Sequence, residues 1–393
     1  MARVLILHSG EGPIRGAEVV VLTMLELFRG RHAIRLVTDH EGLVAEARAH
    51  GHAVEHWTFP GARSPKLTWA RLRTTVVAGL RLWRLIRRER IELVHVNNGH
   101  YAQLMVLPAL LAGVPWLVHL HATLSRRTQF LFGIYCADRI VAVSNMVHRA
   151  WQGFPRVLRK CRTVYNTLPV FADPAPVPRS AFGIAADRFV IVFAGLLTPA
   201  KAVDVAIAAV AHLVRRGRPV HLLVVGDGPE RDRLAAMAEG LPVTFAGYRR
   251  DVPGIFAGSA DVVVLPSRTT ESFGLVLLEA AHAGVPRIGS TGGGIPEVIA
   301  DGEDGLLFPI DDAAALADRI ERLMDDPALG GPAGRRTPRR GLHRRLLACR
   351  VPRGAGDELA RTPRRTARRA LARLGDIVLT PLAFVAGKLL RGR

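Results

Sequence analysis

The chain has 393 residues, an apolar fraction of 49% and a formal net charge of +20. This length allows two or three domains, and the apolar content excludes a mainly disordered chain. The charge is uneven, because residues 330–393 carry 17 basic and 3 acidic side chains and the preceding residues carry a net charge of only +6. No recognition helix or basic face with interleaved aromatic residues stands out, so we expect no nucleic-acid partner.

The cysteine spacing and the apolar runs limit the possible cellular locations of the protein. Three cysteines at positions 136, 161 and 349 have neither disulfide-framework nor metal-ligand spacing. The chain enters a strand pattern directly, without a signal-peptide pattern, and the apolar run at 104–118 is too short and too rich in Pro and Gly to span a bilayer. We therefore expect a cytoplasmic protein, with the inner face of the membrane as an open alternative.

The first half of the chain alternates strand and helix patterns. Apolar, β-rich runs predict strands at residues 4–7, 34–38, 93–96, 116–119, 140–143 and 162–165. Helical patterns lie in most of the intervals, including 17–28 and 67–90. This alternation is typical of βαβ units with a parallel sheet covered on both faces, and predicts a Rossmann-like domain over residues 1–168.

A proline-rich segment precedes a second round of the same pattern. Four prolines within ten residues predict an interdomain linker at 169–180. Strands are then predicted at 189–193, 222–225, 243–245, 261–265, 287–290 and 305–308. We therefore predict a second Rossmann-like domain at 181–329 that faces the first across a cleft. The basic tail at 330–393 is predicted to be irregular or disordered to about residue 365 and then helical. The Arg, Pro and Gly bias of residues 330–365 would also suit a coding region translated out of frame.

Two glutamates, Glu271 and Glu279, stand eight residues apart across a predicted loop-to-helix start. Backbone N–H groups at a helix N-terminus favour an anion such as a diphosphate. A carboxylate at Glu279 could accept hydrogen bonds from ribose hydroxyls. Two exposed surface charges are the alternative interpretation, but glycine-rich motifs surround the pair at 226–229, 292–297 and 301–307.

Together these motifs resemble the retaining nucleotide-sugar glycosyltransferases of family 4, which have the GT-B fold. The resemblance covers residues 1–327. It implies transfer of a sugar from a nucleoside-diphosphate donor, bound by the C-terminal domain, to a hydroxyl of a lipid-linked, glycan or small-molecule acceptor bound by the N-terminal domain. A role in cell-envelope or exported glycan synthesis follows from it. A nucleotide-sugar 2-epimerase and a decayed, non-catalytic nucleotide-sugar or membrane-surface binding protein are the alternatives.

The resemblance also assigns roles to individual residues. Glu271 is expected to contact the donor hexose, Lys201 to neutralise the leaving diphosphate, and His121 to face the donor sugar, with His119 as the alternative if the register slips. Donor binding is expected from Gly16, Gly195, Phe273, Gly274, Leu275, Glu279 and Tyr248.

The sequence departs from the family pattern around Lys201. Leu196 stands where an arginine is usual and Ala202 where a glycine is usual. Loss of one of two cations would weaken stabilisation of the leaving diphosphate unless another cation, such as Arg268, replaces it. Metal-ligand spacing and a D-x-D motif are both missing from the sequence, so we expect no metal and no cofactor.

The basic helix predicted at 67–90 has two faces. Its apolar side chains, Leu72, Val76, Leu80, Trp83 and Ile86, fall on one side at helical spacing, and most arginines fall on another. Such a helix either docks on an anionic membrane or packs on the sheet with solvated arginines.

Overall fold

The computed structural model describes residues 1–60, 68–151, 153–168, 175–268 and 271–326. These residues form two compact units, the first made of Met1–Val143 with Val147–Val164 and the second of Ser144–Met146 with the residues from Tyr165 onward. The predicted tail at 330–393, the linker residues 169–174 and residue 67 lie outside the described ranges.

A parallel sheet lies at the centre of the first unit. Its described strands are β1 (Arg3–His8), β2 (Ala33–Thr38), β3 (Ala53–His56), β4 (Leu93–Asn97), β5 (Trp116–Leu120), β6 (Arg139–Ala142) and β7 (Cys161–Thr163). The strand order is β3-β2-β1-β4-β5-β6-β7, and every pair is parallel. Strand β3 was not predicted, because this short edge strand is half-exposed and has no apolar run.

A second parallel sheet lies in the second unit. Its described strands are β8 (Phe189–Ala194), β9 (Val220–Val225), β10 (Val243–Gly247), β11 (Val262–Leu265), β12 (Arg287–Ser290) and β13 (Leu306–Phe308). The order is β10-β9-β8-β11-β12-β13, again all parallel. The predicted α/β class with two Rossmann-like sheets is therefore confirmed.

Helices connect the strands in both units. In the N-terminal part of the chain they are α1 (Gly16–Leu27), α2 (Glu41–Ala49), α3 (Trp69–Arg88), α4 (Ala102–Ala112), α5 (Arg126–Leu131), α6 (Asn145–Arg149) and α7 (Pro155–Leu158). In the C-terminal part they are α8 (Val203–Arg215), α9 (Arg231–Met237), α10 (Val252–Ser259), α11 (Leu275–His282) and α12 (Ala313–Asp325). Most of the strands are buried, as parallel sheets covered by helices require, whereas β3 and β10 are only partly buried.

The strand order places a ligand-binding edge in each sheet. The chain changes its direction of growth between β1 and β4 in the first sheet and between β8 and β11 in the second. Ligands of open parallel sheets bind outside the carboxyl ends of the strands at such switch points. The segments that follow these strands are therefore where functional side chains are expected.

The second half of the predicted linker packs on the second unit. The Val177 N–H donates to the Gly254 carbonyl at 2.9 Å. A Cβ atom at Gly254 would lie 2.4 Å from the Ala175 carbonyl oxygen, and one at Gly258 equally close to that of Val177. These glycines let residues 175–177 lie directly against α10.

The basic helix α3 presents its faces differently from the prediction. Leu72 and Val76, expected on the same apolar face as Ile86, are exposed together with Trp69 and Val77. The buried face instead consists of Arg71, Ala78, Leu82, Leu85 and Ile86. The helix therefore packs mainly through its C-terminal half, with Arg71 also buried near its start, and an apolar strip of the first turns is exposed.

The apolar run at 104–118 folds as predicted, into a helix, a turn and a buried strand. Helix α4 ends before Gly113, whose φ of 65° closes the helix in the left-handed conformation, and β5 follows. Across the described parts of the chain, no helix has the length and apolar character needed to cross a membrane.

Candidate active site

The loop after β8 carries Lys201 to the carboxyl edge of the second sheet. It leaves the strand at Gly195, makes one 3₁₀ turn at Pro199–Lys201 and enters α8 through Ala202. The loop after the neighbouring strand β11 carries Glu271. Lys201 Nζ and Glu271 form an ion pair that joins the two loops at the switch point of the sheet.

The Glu271 carboxylate is the less exposed partner of this pair. Its side chain is 12% exposed, against 30% for Lys201. The Ser267 hydroxyl lies 3.4 Å from the same carboxylate oxygen. The structure thus brings together two of the predicted catalytic residues, which are 70 positions apart in sequence.

Glycines hold both loops by backbone contact. Gly226 has a φ of 137°, and a Cβ there would lie 1.9 Å from the Gly195 carbonyl oxygen. A Cβ at Gly293 would lie 2.1 Å from the Glu271 carbonyl oxygen, and the Gly294 N–H donates to that oxygen at 2.8 Å. The glycine-rich motifs therefore fix the main chain that carries the ion pair.

Helix α11 begins beside the Glu271 loop. Gly274 is its N-cap residue with a φ of 91°, a conformation that glycine adopts at little cost, and Leu275 opens the helix. Phe273 is buried and anchors the turn. The Leu277 N–H already donates to the Gly274 carbonyl at 2.9 Å. The N–H groups of Leu275 and Val276 come too early in the helix to have an intrahelical acceptor, which makes this end favourable for an anion.

Glu279 lies one turn into α11 and is half-buried. Burial raises the pKa of Glu279 from its ordinary value of 4.5 to about 7. No ion pair with Glu279 is found among the described residues. Partners that donate hydrogen bonds would stabilise the ionised form of such a carboxyl group.

Glu279→Gln should make the ligand-free protein more stable at pH 8 than the unchanged protein, by about 2–3 kcal/mol. The raised pKa means that the folded state holds its proton more tightly than the unfolded chain. Stability is therefore lost as pH rises from 4.5 to about 7. Urea unfolding at pH 4.5 and pH 8 measures the difference, which should nearly vanish at the lower pH. A stability difference between the two proteins that does not depend on pH would contradict the raised pKa of Glu279.

Arg268 is not a ready replacement for the missing arginine at position 196. Its guanidinium pairs with Asp204 at 3.0 Å and with Asp311 at 2.6 Å. Its positive charge is therefore already balanced.

Tyr248, just beyond β10, is 45% exposed at the same sheet end.

Ala202 adopts a conformation that suits the glycine usual at this position. Its φ of 53° and ψ of 42° are left-handed, and the residue is fully buried. An alanine in this region costs roughly 1–2 kcal/mol, which exceeds the entropic cost of a glycine.

Ala202→Gly should therefore stabilise the protein by about 0.5–1 kcal/mol. Urea unfolding of both proteins measures the change. Ala206→Gly, inside α8, is the matched control and should destabilise by about 1 kcal/mol. Destabilisation by both substitutions to the same extent would show that position 202 is not strained.

The first unit holds the remaining predicted residues. His121 directly follows β5 and is half-buried, with Nε2 at 2.9 Å from Asn97 Oδ1. His119 is buried, and neither ring nitrogen has a hydrogen-bond partner. Gly16 is the first residue of α1, which follows β1, and β4 lies between β1 and β5 in the sheet. His121 rather than His119 therefore reaches the sheet edge.

Sequence reasoning missed two residues at this edge. His8 ends β1 and Asn97 ends β4, side by side in the strand register. Both are fully buried, and polar side chains with such burial at strand ends were the signal that could have found them. The described residues contain no group of three or more His, Cys, Asp or Glu side chains arranged to hold a metal ion.

Solved structures of similar architecture define the class of fold. The Anabaena protein HepE in complex with UDP and glucose aligns with a TM-score of 0.73 over 89% of this chain and 97% of its own, at 21% identity. Sucrose-phosphate synthase from Thermosynechococcus elongatus aligns with a TM-score of 0.65 over 89% and 95%, at 20% identity. Both alignments place this chain in the GT-B fold.

Sequence comparisons place the chain more narrowly. Residues 14–170 match the family described as Glycosyltransferase Family 4, and residues 188–326 match Glycosyl transferases group 1. N-acetyl-alpha-D-glucosaminyl L-malate synthase of Bacillus anthracis is 31% identical over 64% of this chain and 70% of its own length. Alpha-D-kanosaminyltransferase of Streptomyces kanamyceticus is 30% identical over 64% and 74%. The chain belongs to glycosyltransferase family 4.

Proposed function

We propose that this glycosyltransferase is a retaining, metal-independent enzyme that moves a hexose from a nucleoside-diphosphate sugar to an acceptor hydroxyl. The observation that carries the proposal is the Lys201–Glu271 ion pair beside the N-terminus of α11. It combines a cation for a diphosphate with a carboxylate for sugar hydroxyls. Solved relatives that hold UDP and glucose support the same donor class.

Each residue of this edge has a proposed part in the reaction. Lys201 and the first-turn N–H groups of α11 balance the charge that the diphosphate gains as the glycosidic bond breaks. Glu271 accepts hydrogen bonds from the hexose, and Glu279 accepts them from the ribose. The leaving phosphate oxygen takes the proton of the acceptor hydroxyl, which attacks on the same face. Gly195 and Gly274 let the main chain approach the donor, and Tyr248 lies on the nucleobase side.

Incubation with a panel of nucleotide sugars tests the proposal. The released nucleoside diphosphate and the anomeric configuration of the product are measured, with and without EDTA. Release that needs an acceptor, resists EDTA and gives a product of retained configuration would support it. Donor turnover without acceptor would indicate the 2-epimerase alternative. No turnover and no nucleotide binding would overturn the proposal.

We propose further that α3 brings the enzyme to an anionic membrane that carries its acceptor. Trp69 is 86% exposed and Val77 is 58% exposed, with Leu72 and Val76 beside them. Exposed arginines follow along the helix, among them Arg73 and Arg84. An uncovered apolar strip with adjacent basic side chains suits the headgroup region of anionic lipids. A lipid-linked acceptor fits this surface better than a small soluble one, and indicates a role in cell-envelope or exported glycan synthesis.

Val77→Asp should weaken binding to vesicles that contain phosphatidylglycerol by about tenfold or more, because it removes apolar contact and adds a repelled charge. Sedimentation with vesicles measures the bound fraction, and vesicles of phosphatidylcholine alone should bind little of either protein. Val214→Asp, at an exposed apolar position of α8, is the matched control. Equal vesicle binding by both variants and the unchanged protein would contradict the proposed membrane contact of α3.

A further inference from the structure

A chain of buried polar side chains crosses the carboxyl ends of three adjacent strands in the first unit. Glu18 Oε1 lies 3.0 Å from His8 Nε2, and His8 Nδ1 lies 3.1 Å from Asn97 Nδ2. Asn97 Oδ1 lies 2.9 Å from His121 Nε2. The chain connects a carboxylate in the first turn of α1 to the half-buried imidazole after β5.

The carboxylate fixes one end of this chain. Burial raises the pKa of Glu18, but the hydrogen bond from His8 and the further contacts outweigh it, so the pKa lies below 4.5. The other oxygen of Glu18 accepts the Arg15 N–H at 3.0 Å, which holds the carboxylate in place. An ionised carboxylate only accepts, and therefore His8 Nε2 carries a proton. Gly10 leaves the necessary space, since a Cβ there would lie 2.5 Å from Glu18 Oε1.

A backbone carbonyl fixes the orientation of the central amide. Asn97 Nδ2 lies 3.3 Å from the Ala17 carbonyl oxygen, which only accepts hydrogen bonds. A flipped amide would place two oxygens against each other. Asn97 therefore turns Nδ2 toward Ala17 and His8 and turns Oδ1 toward His121. His8 Nδ1 is then the acceptor, and His121 Nε2 has to be the donor.

His121 is left with one unused nitrogen. Burial is the main cause that lowers the pKa of His121 to about 3, so the ring is neutral at pH 7 and carries one proton. That proton lies on Nε2, and no residue in the described ranges hydrogen-bonds Nδ1.

We propose that Glu18 is a positioning residue that sets the tautomer of His121 through His8 and Asn97, so that Nδ1 is presented to accept a hydrogen bond from a substrate hydroxyl. The substrate part rests on the function proposed above, and the tautomer part does not. A hydroxyl that has to donate to Nδ1 keeps its oxygen lone pairs for other partners. The arrangement thus selects a sugar hydroxyl, which can donate, over an ether, which cannot.

The tautomer is measured in the ligand-free protein. Isotope-labelled histidine and long-range proton–nitrogen correlation NMR distinguish the two neutral tautomers, and His121→Gln assigns the signals. The unchanged protein should show His121 protonated only on Nε2. Glu18→Gln should give a mixture of both tautomers, because the glutamine amide can donate as well as accept. Glu26→Gln, in the same helix and paired with Arg29, is the matched control and should leave His121 unchanged.

Asn97→Leu is a second variant, which removes the amide between His8 and His121 without a change of charge. It should also give a mixture of both His121 tautomers. Protonation of His121 on Nδ1 in the unchanged protein, or an Nε2–H tautomer that neither substitution alters, would overturn the proposal. With an active donor, Glu18→Gln should lower kcat for sugar transfer several-fold and leave the affinity for the free nucleoside diphosphate unchanged. Lost nucleotide affinity in this variant would overturn the positioning role. A transfer assay that fails with every donor would contradict the proposed function, whereas the tautomer measurement would still stand.

Discussion

Lys201→Met should lower kcat for sugar transfer by about 10²–10³-fold, because it removes the cation that we propose stabilises the leaving diphosphate. The structure raises the expected cost, since Leu196 provides no second charge and the guanidinium of Arg268 is held by Asp204 and Asp311. The same substitution should weaken binding of the free nucleoside diphosphate about 10–100-fold, the usual value of a hydrogen bond to a charged group.

Steady-state kinetics and calorimetric titration measure the two effects. Lys201→Arg is the charge-conserving control, and it should keep most of the nucleotide affinity. An unchanged urea midpoint for Lys201→Met would show that the fold is intact. If kcat fell less than tenfold, another cation would have to stabilise the leaving group.

Glu271→Gln should lower kcat/KM by about 10–100-fold and yet leave the affinity for the free nucleoside diphosphate unchanged or several-fold higher. The loss arises because a neutral amide accepts weaker hydrogen bonds from the hexose. The gain arises because the substitution breaks the ion pair and makes the ammonium group of Lys201 available to the diphosphate. Of the two substitutions in this ion pair, only Lys201→Met should therefore weaken nucleotide binding.

Glu239→Gln is the matched control for this experiment, because Glu239 is an exposed glutamate that follows α9. It should change neither quantity. Equal weakening of nucleotide binding by Lys201→Met and Glu271→Gln would indicate that the ion pair acts only as a structural link between the loops.

The sequence predicted the parallel sheets well, because buried strands of such sheets are continuous apolar runs with recognisable turns between them. It failed where burial is partial. Strand β3 (Ala53–His56) lies at an edge and is half-exposed, and α3 was assigned one apolar face although Leu72 and Val76 face away from the buried one. Periodicity shows which side chains share a face, but it does not show which face the neighbouring elements cover.

The candidate site could be predicted where motif residues meet locally, as in the segment from Glu271 to Glu279. The resemblance assigns separate roles to Lys201 and Glu271, but it does not predict that their side chains form an ion pair. Their direct contact depends on the strand order, which places β8 beside β11. The roles of His8 and Asn97 were missed for the same reason, since neither residue belongs to a motif and their proximity is created by the pairing of β1 with β4.

The glycine contacts at Gly226 and Gly293 have a consequence for how this family diversifies. Because main-chain atoms at these glycines hold the functional loops, exposed side chains such as Tyr248 can change without moving Lys201 or Glu271. Natural variation and laboratory libraries should therefore tolerate many residues on the loop surfaces and almost none at the supporting glycines. On the function proposed here, point substitutions on the loop surfaces would change the donor preference without moving Lys201 or Glu271.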